Sequence, residues 1–296
     1  YLKKGRNPLS SDLMDSIKHL SDGLYSSNVH FIFELIQNAE DNTYPHNTKP
    51  SLSFHLVQKD PTETKGSDGA LIIHNNELGF SPENIEAICA IGKSTKKKNQ
   101  GYIGEKGIGF KSVFKVTSKP HIISNGYSIC FPEEEEITGL GYIVPQWVEK
   151  LPDKLINNSH TTIILPLNKI EINYSDVEKM LHDIQPEIIL FLTKIKEIRI
   201  QTNKVSMMRI WKDDSLLPLV KIYVEKKRLV NSYLDSFEFL FFSKSFNRPP
   251  EIIQEKRENI REREVSIAFP INNNQRGIGE NFFFFFFFFF FFFFFF

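Results

Sequence analysis

The sequence predicts an α/β fold, with helices packed on a mixed sheet and the start of a second, β-rich unit behind it. Two observations predict this. Up to about residue 170, runs with helical periodicity are interleaved with short β-branched and aromatic runs. After about Leu190 the helical patterns thin out and strand-like runs follow one another. The expected organisation is a first domain over 1–180, a partial second unit over 181–281, and a homopolymeric tract of phenylalanine over 282–296.

Taken in order, residues 10–27 (SSDLMDSIKHLSDGLYSS) and 28–43 (NVHFIFELIQNAEDNT) read as helices, with Ser11 and Asn28 as N-caps. SLSFHLV at 51–57 and ALIIH at 70–74 read as the strands of a hairpin, joined by a polar loop containing Pro61, Gly66, Asp68 and Gly69. PENIEAICA at 82–90 is a helix capped by Ser81, with Pro82 at its first position. GKSTKKKNQGYIGEKGIGF at 92–110 has no periodicity and many glycines, and is expected to be a mobile loop that runs into a short helix at FKSVFKV. Strands are expected at 121–124, 127–131 and 161–167, then a helical stretch YSDVEKMLHDIQPEIILFLTKI. Further strands are expected at 197–200, 207–212, 219–225, 237–243 and 265–271. EKRENIRERE at 255–264 reads as a solvated connector.

Lys plus Arg and Asp plus Glu both number 36, so no overall field recruits nucleic acid or an anionic membrane. The two cysteines, Cys89 and Cys130, form neither a disulfide framework nor a metal cluster. With no basic-then-apolar leader, an intracellular protein, cytoplasmic or nuclear, is expected. The chain opens on Tyr1 and is expected to be a fragment. The terminal phenylalanines are fewer than the ~20 apolar residues a membrane helix needs, and a gene-model error is the expected origin of the tract.

The chemistry concentrates in two segments. Within FELIQNAEDN, residues Glu34, Asn38 and Asp41 are spaced by four and then three, so they form one polar stripe on an otherwise apolar helix. The second segment, GYIGEKGIGFKS at 101–112, places Gly101, Gly104, Gly107 and Gly109 in a loop directly before a helix start. There backbone N–H groups can turn toward a phosphate. Lys93, Ser94, Thr95, Lys106, Lys111 and Ser112 add charge and donors, and Ile108 and Phe110 complete the run. Mg²⁺ on a triphosphate asks for one or two hard protein oxygens. Asn38 offers one, Glu34 is placed to orient or deprotonate water, and Asp41 can sit near the ribose or the loop. Asn75, Asn76 and Gly79 break an apolar strand where a base could dock.

In order and residue type these motifs resemble the GHKL ATPases, the Bergerat-fold superfamily of gyrase, the large heat-shock chaperones, histidine kinases and MutL. ExxxNxxD occurs as Glu34, Asn38 and Asp41, the glycine-rich lid as GEKGIGFKS, and a later Thr before a strand as Thr161. More narrowly, FELIQNAEDNTYP, NNELGFSPENI, IGKSTK and GYIGEKGIGFKSVFKVTSKP are similar to the sacsin and NO VEIN branch. PEIILFLTKIKEI and VSIAFPI extend the likeness to about residue 271.

The resemblance implies a two-layer α/β sandwich holding ATP and Mg²⁺. Glu34 would be the general base, Asn38 the metal ligand, Gly79 the turn beneath adenine, Gly104, Gly107 and Gly109 the phosphate lid, and Thr161 a partner of the base through water. One departure stands out: where the superfamily has DxGxG, this chain has Asn75 in place of the Asp and Glu77 in place of the first Gly. A neutral hydrogen bond contributes ~0.5–1.5 kcal/mol against ~1.5–3 for a charged one, so weaker adenine discrimination is expected.

The expected function is an ATP-binding, slowly hydrolysing N-terminal module of a larger chaperone-like or regulatory protein. It would meet protein partners or clients through downstream domains, which also supply residues that complete the site. The alternative is a catalytically inactive scaffold for protein interaction.

Overall fold

The structure, a computed structural model, describes residues 29–90, 109–133, 140–149, 161–202, 207–227, 231–247, 262–271 and 287–288. The expected helix over 10–27 and its cap Ser11 lie outside them, as do Asn28 and the connector up to residue 261.

Helix α1 (His30–Asp41) buries Phe31, Ile32, Leu35, Ile36 and Ala39, a stripe of helical spacing set against the sheet. Val29 stands at its N-cap position, in a helical conformation and without a side-chain cap. Strand β1 (Ser51–Val57) alternates as its sequence does, turning Leu52, Phe54 and Leu56 into the core. It forms the expected antiparallel hairpin with β2 (Ala70–Asn75). In the connecting loop Asp60 accepts hydrogen bonds from the backbone N–H groups of Thr62 (2.9 Å) and Thr64 (2.8 Å), which closes a side-chain turn. Helix α2 (Pro82–Cys89) starts as predicted. Ser81 Oγ accepts from Asn84 N, Asn84 Oδ1 accepts from Ser81 N, and Pro82 opens the first turn.

The short helix expected at FKSVFKV is a 3-10 helix over Gly109–Lys115, packed against α1. Strands β3 (His121–Ser124), β4 (Tyr127–Cys130), β5 (Gln146–Trp147) and β6 (Thr161–Pro166) follow. The long helical pattern after Tyr174 is broken. Helix α3 (Tyr174–His182) is capped by Asn173, and a separate 3-10 turn over Pro186–Phe191 begins where Pro186 cannot donate into a continuing helix. Then come β7 (Glu197–Gln201), β8 (Met207–Leu216), β9 (Leu219–Lys227), β10 (Ser232–Asn247), β11 (Glu262–Pro270) and β12 (Phe287–Phe288). β8 to β10 run past their predicted spans and β11 starts earlier than predicted, because an antiparallel neighbour keeps their polar ends in the ladder.

The strands make a single mixed sheet in the order β12-β11-β10-β9-β8-β7-β1-β2-β6-β3-β4-β5. Among the described residues, one parallel pairing, β1 with β7 (Ser51 opposite Glu197), joins the two halves, and every other pairing is antiparallel. The main core lies between the helices and one face of this sheet, running from Phe31 and Ile32 through Phe54, Leu71 and Leu165 to Ile198, Ile210 and Ile222. A small cluster on the opposite face contains Ala70, Ile72, Ile123 and Ile164. Among the described residues no helix is long and apolar enough to cross a membrane.

Candidate functional site

Two of the three polar residues on α1 are not on an open face. The Glu34 side chain is 16% exposed and Asp41 is buried at 6%, while Asn38 on the same stripe is half-buried. Glu34 has close neighbours on two sides. One turn earlier on the helix, His30 places Nδ1 3.7 Å from Glu34 Oε1. Across the site, the carboxylate lies against Gly109, so close that a Cβ built on that glycine would overlap Glu34 Oε2 and stand 3.1 Å from Cδ. Glycine at 109 thus admits this close approach of the carboxylate, and its backbone angle does not demand it. It is also the last glycine of the lid motif, so the acidic helix and the glycine-rich segment meet at this contact.

The remaining lid and lysine-run residues, Lys93, Ser94, Thr95, Gly104, Lys106, Gly107 and Ile108, lie outside the described residues. Phe110 is half-buried, edge-on to Phe131 at 6.2 Å. Lys111, expected to add charge to the loop, turns inward instead. Its ammonium donates to Tyr142 O and sits 5.1 Å over the Phe131 ring. Burial pulls its pKa down to about 8. Ser112 Oγ donates to Gly109 O at 2.6 Å, which pins the start of the 3-10 helix.

At the end of β2 the two asparagines serve the fold. Asn75 is buried; its Oδ1 accepts from Asn42 Nδ2 (2.9 Å) and its Nδ2 donates to Tyr44 OH (2.8 Å) and Ser51 O (3.1 Å). Asn76 Oδ1 accepts from Ser51 N (2.8 Å), and Asn76 Nδ2 donates to Lys49 O (2.9 Å). The acid that comes to Thr161 is the next residue, Glu77.

Glu77 is buried at 5%, and Thr161 Oγ1 donates to its Oε1. Thr161, at the first position of β6, also shares a 2.5 Å hydrogen bond with Ser124 Oγ, which in turn accepts from Phe80 N at 2.8 Å. Burial pushes the Glu77 carboxyl above the ordinary carboxylate range, and the bonds from Thr161 and the Gly79 N–H pull it partly back. Gly79 has φ +94°, and a Cβ there would stand 2.7 Å from Asn125 Cβ in the β3–β4 turn. Sequence reading treated Glu77 only as a substituted glycine; the available signal was a carboxylate two residues before a turn glycine, with a strand-opening threonine downstream. His30 was also missed, although its spacing to Glu34 was visible.

Among the described residues, no group of three or more His, Cys, Asp or Glu side chains is placed to hold a metal ion. The hard oxygen that the sequence nominates is the Asn38 amide, one turn from Glu34.

A family model described as the Sacsin domain matches residues 10–140. The protein NO VEIN of Arabidopsis thaliana is 35% identical over 273 residues, covering 87% of this chain. The chain contains a GHKL-like domain of the sacsin and NO VEIN family. Human sacsin is 32% identical over 112 residues, 36% of this chain. The chaperone protein HtpG of a Sulfurovum species is 31% identical over 137 residues, 40% of this chain and 22% of its own length. The match to this chain spans 9% of the length of NO VEIN and 2% of that of sacsin. Among solved structures, the B-subunit of the DNA gyrase from Myxococcus xanthus aligns with 73% of this chain and 67% of its own, at 7% identity and a TM-score of 0.39, too low to carry weight.

Proposed function

We propose that this chain is an ATP-binding module that hydrolyses ATP slowly and passes its nucleotide state to a larger protein through closure of the glycine-rich segment. The observation that carries this reading is the contact of the Glu34 carboxylate with Gly109, which brings the acidic helix and the end of the phosphate-type loop to one place. Asn38 would hold Mg²⁺ through its amide oxygen, with phosphate oxygens and water completing the shell. When bound, the ion neutralises charge on the transferring phosphoryl group. Glu34, with His30 beside it, orients or deprotonates the attacking water.

On the base side, the buried Glu77–Thr161 pair takes the part that the resemblance gave to Asn75 or Asn76. It is an acid–hydroxyl pair able to accept from an exocyclic amine, and the Asn75 and Asn76 amides already have partners within the fold. The relatives are many times longer than this chain, so protein partners and any completing cation would come from elsewhere in the larger polypeptide.

Titrating the full-length protein with fluorescently labelled ATP, with and without Mg²⁺, tests the reading. Saturable binding that strengthens with Mg²⁺ is expected, and Glu34→Ala is expected to keep binding while losing turnover. Absence of binding at millimolar nucleotide would overturn the proposal.

A further inference from the structure

The C-terminal end of α1 carries a second carboxylate with a different task. Glu40 is buried at 2% and points away from the Glu34–Asn38 stripe, into the chain that leads from the 3-10 turn to β7. Its Oε1 accepts from Thr193 N (2.7 Å), Thr193 Oγ1 (2.6 Å) and Lys194 N (2.8 Å), and its Oε2 accepts from Ile195 N (2.9 Å). Lys194 returns the grip: its Nζ donates to Asp41 O (3.2 Å) and Asn42 O (3.0 Å), carbonyls at the helix end that have no helical partner. The clasp continues on both sides. Lys212 of β8 donates to Leu192 O at 2.6 Å, and Lys196 N donates to Pro50 O at 3.0 Å, just before β1. Tyr44 OH donates to Ala39 O at 2.6 Å and accepts from Asn75, whose Oδ1 holds Asn42.

We infer that Glu40 is a positioning residue. Through the Thr193–Lys194–Ile195 backbone it ties the setting of α1, and with it Glu34 and Asn38, to the head of the β7–β11 ribbon, so that the nucleotide site and that ribbon each sense the other. The inference rests on the ATP reading above and adds a direction of coupling to it. The geometry favours coupling over simple packing. A neutral residue could fill the same space, whereas a carboxylate accepting from three consecutive backbone N–H groups fixes the loop's orientation as well as its distance. By linkage, any shift of the ribbon that changes nucleotide affinity is matched by a shift of the loop on nucleotide binding, and displacement of Glu34 adds an effect on turnover.

The test uses the full-length protein with three substitutions: Glu40→Gln, which sets an amide NH₂ against a backbone N–H; Lys194→Met, which removes only the grip on the helix-end carbonyls; and Thr193→Ser, which keeps the hydroxyl. Mg·ATP affinity, turnover and amide hydrogen exchange at 193–195 are measured with and without nucleotide, and thermal melting checks folding. Expected are a roughly tenfold loss of turnover in Glu40→Gln, with affinity held within about threefold, because a displacement of catalytic groups on this scale penalises chemistry more than binding. A smaller loss in the same direction is expected in Lys194→Met, and wild-type behaviour in Thr193→Ser. In the wild type, nucleotide should slow exchange at 193–195, and Glu40→Gln should abolish that response. If Glu40→Gln does not fold, Lys194→Met alone decides. Unchanged turnover and an unchanged exchange response in the folded variants overturn this inference alone; failure of the wild type to bind nucleotide overturns the ATP reading and this inference with it. If the wild type binds without turnover, the exchange response decides.

Discussion

Replacing Gly109 with Ala is the sharpest perturbation the site offers. The new Cβ would overlap Glu34 Oε2 and lie 3.1 Å from Cδ, so the carboxylate must swing aside by roughly an ångström to reach ordinary contact. The obstacle is the far end of a flexible side chain, so the fold has an easy escape. An off-rotamer Glu34 costs about 0.5–1.5 kcal/mol. Fewer unfolded conformations for Ala than for Gly return about 0.4–1 kcal/mol, which leaves stability within about 1 kcal/mol of wild type. Turnover has no such escape, since a misplacement of about 1 Å can cost on the order of a hundredfold. The assay is a double-mutant cycle in the full-length protein: ATP turnover and thermal unfolding for Gly109→Ala, Glu34→Ala and both together. If Gly109→Ala acts by displacing Glu34, it costs roughly a hundredfold in turnover alone and almost nothing once Glu34 is gone. Additive losses, or wild-type turnover in the folded Gly109→Ala variant, would refute the reasoning.

Three further outcomes are expected. His121 is buried, and burial with Lys119 nearby, only partly offset by Asp60, lowers its pKa from 6.5 to about 4. The unfolded chain therefore binds a proton first as pH falls, so stability present above pH 6.5 should be lost between about 6.5 and 4, by about 3 kcal/mol; urea unfolding across that range, compared with His121→Asn, measures it. Thr161→Val leaves Glu77 and Ser124 without their shared hydroxyl and should cost about 1–3 kcal/mol in chemical denaturation. It should also reduce discrimination of ATP from GTP in competition binding. Gly79→Ala forces an L side chain to φ +94° and into Asn125 Cβ at 2.7 Å, with a stability loss of about 2–4 kcal/mol by thermal melting. Part of that loss should return on adding Asn125→Gly, which removes the clash and tolerates the φ of 45° at that position.

What could be read from the sequence was what depends on near neighbours. SLSFHLV shows its alternation and occupies β1 as predicted, and the Ser81-Pro82 start of α2 is a local capping pattern. The long helical pattern after Tyr174 misled because apolar residues at helical spacing continue past Pro186, while the chain turns there into a 3-10 segment. The Glu34–Asn38 stripe was legible as one polar row because it sits on one short helix. Glu77 and Glu40 were not, because their meaning lies in partners 84 and about 153 to 155 positions away. A buried carboxylate and a solvated one look the same in sequence; only the fold distinguishes them.

The single parallel seam between β1 and β7 sets the order in which the molecule can assemble. Each strand from β7 to β10 pairs with the next strand in the chain, whereas β7 must find β1 across more than a hundred residues. The downstream ribbon can therefore zip up on its own and arrive late. Until it does, β1 offers an unpaired edge rich in Leu and Phe, of the kind that recruits other chains. Shortening the polypeptide before Glu197 would make that interval permanent, so a soluble version of this domain has to be cut beyond the ribbon, not at the end of α3.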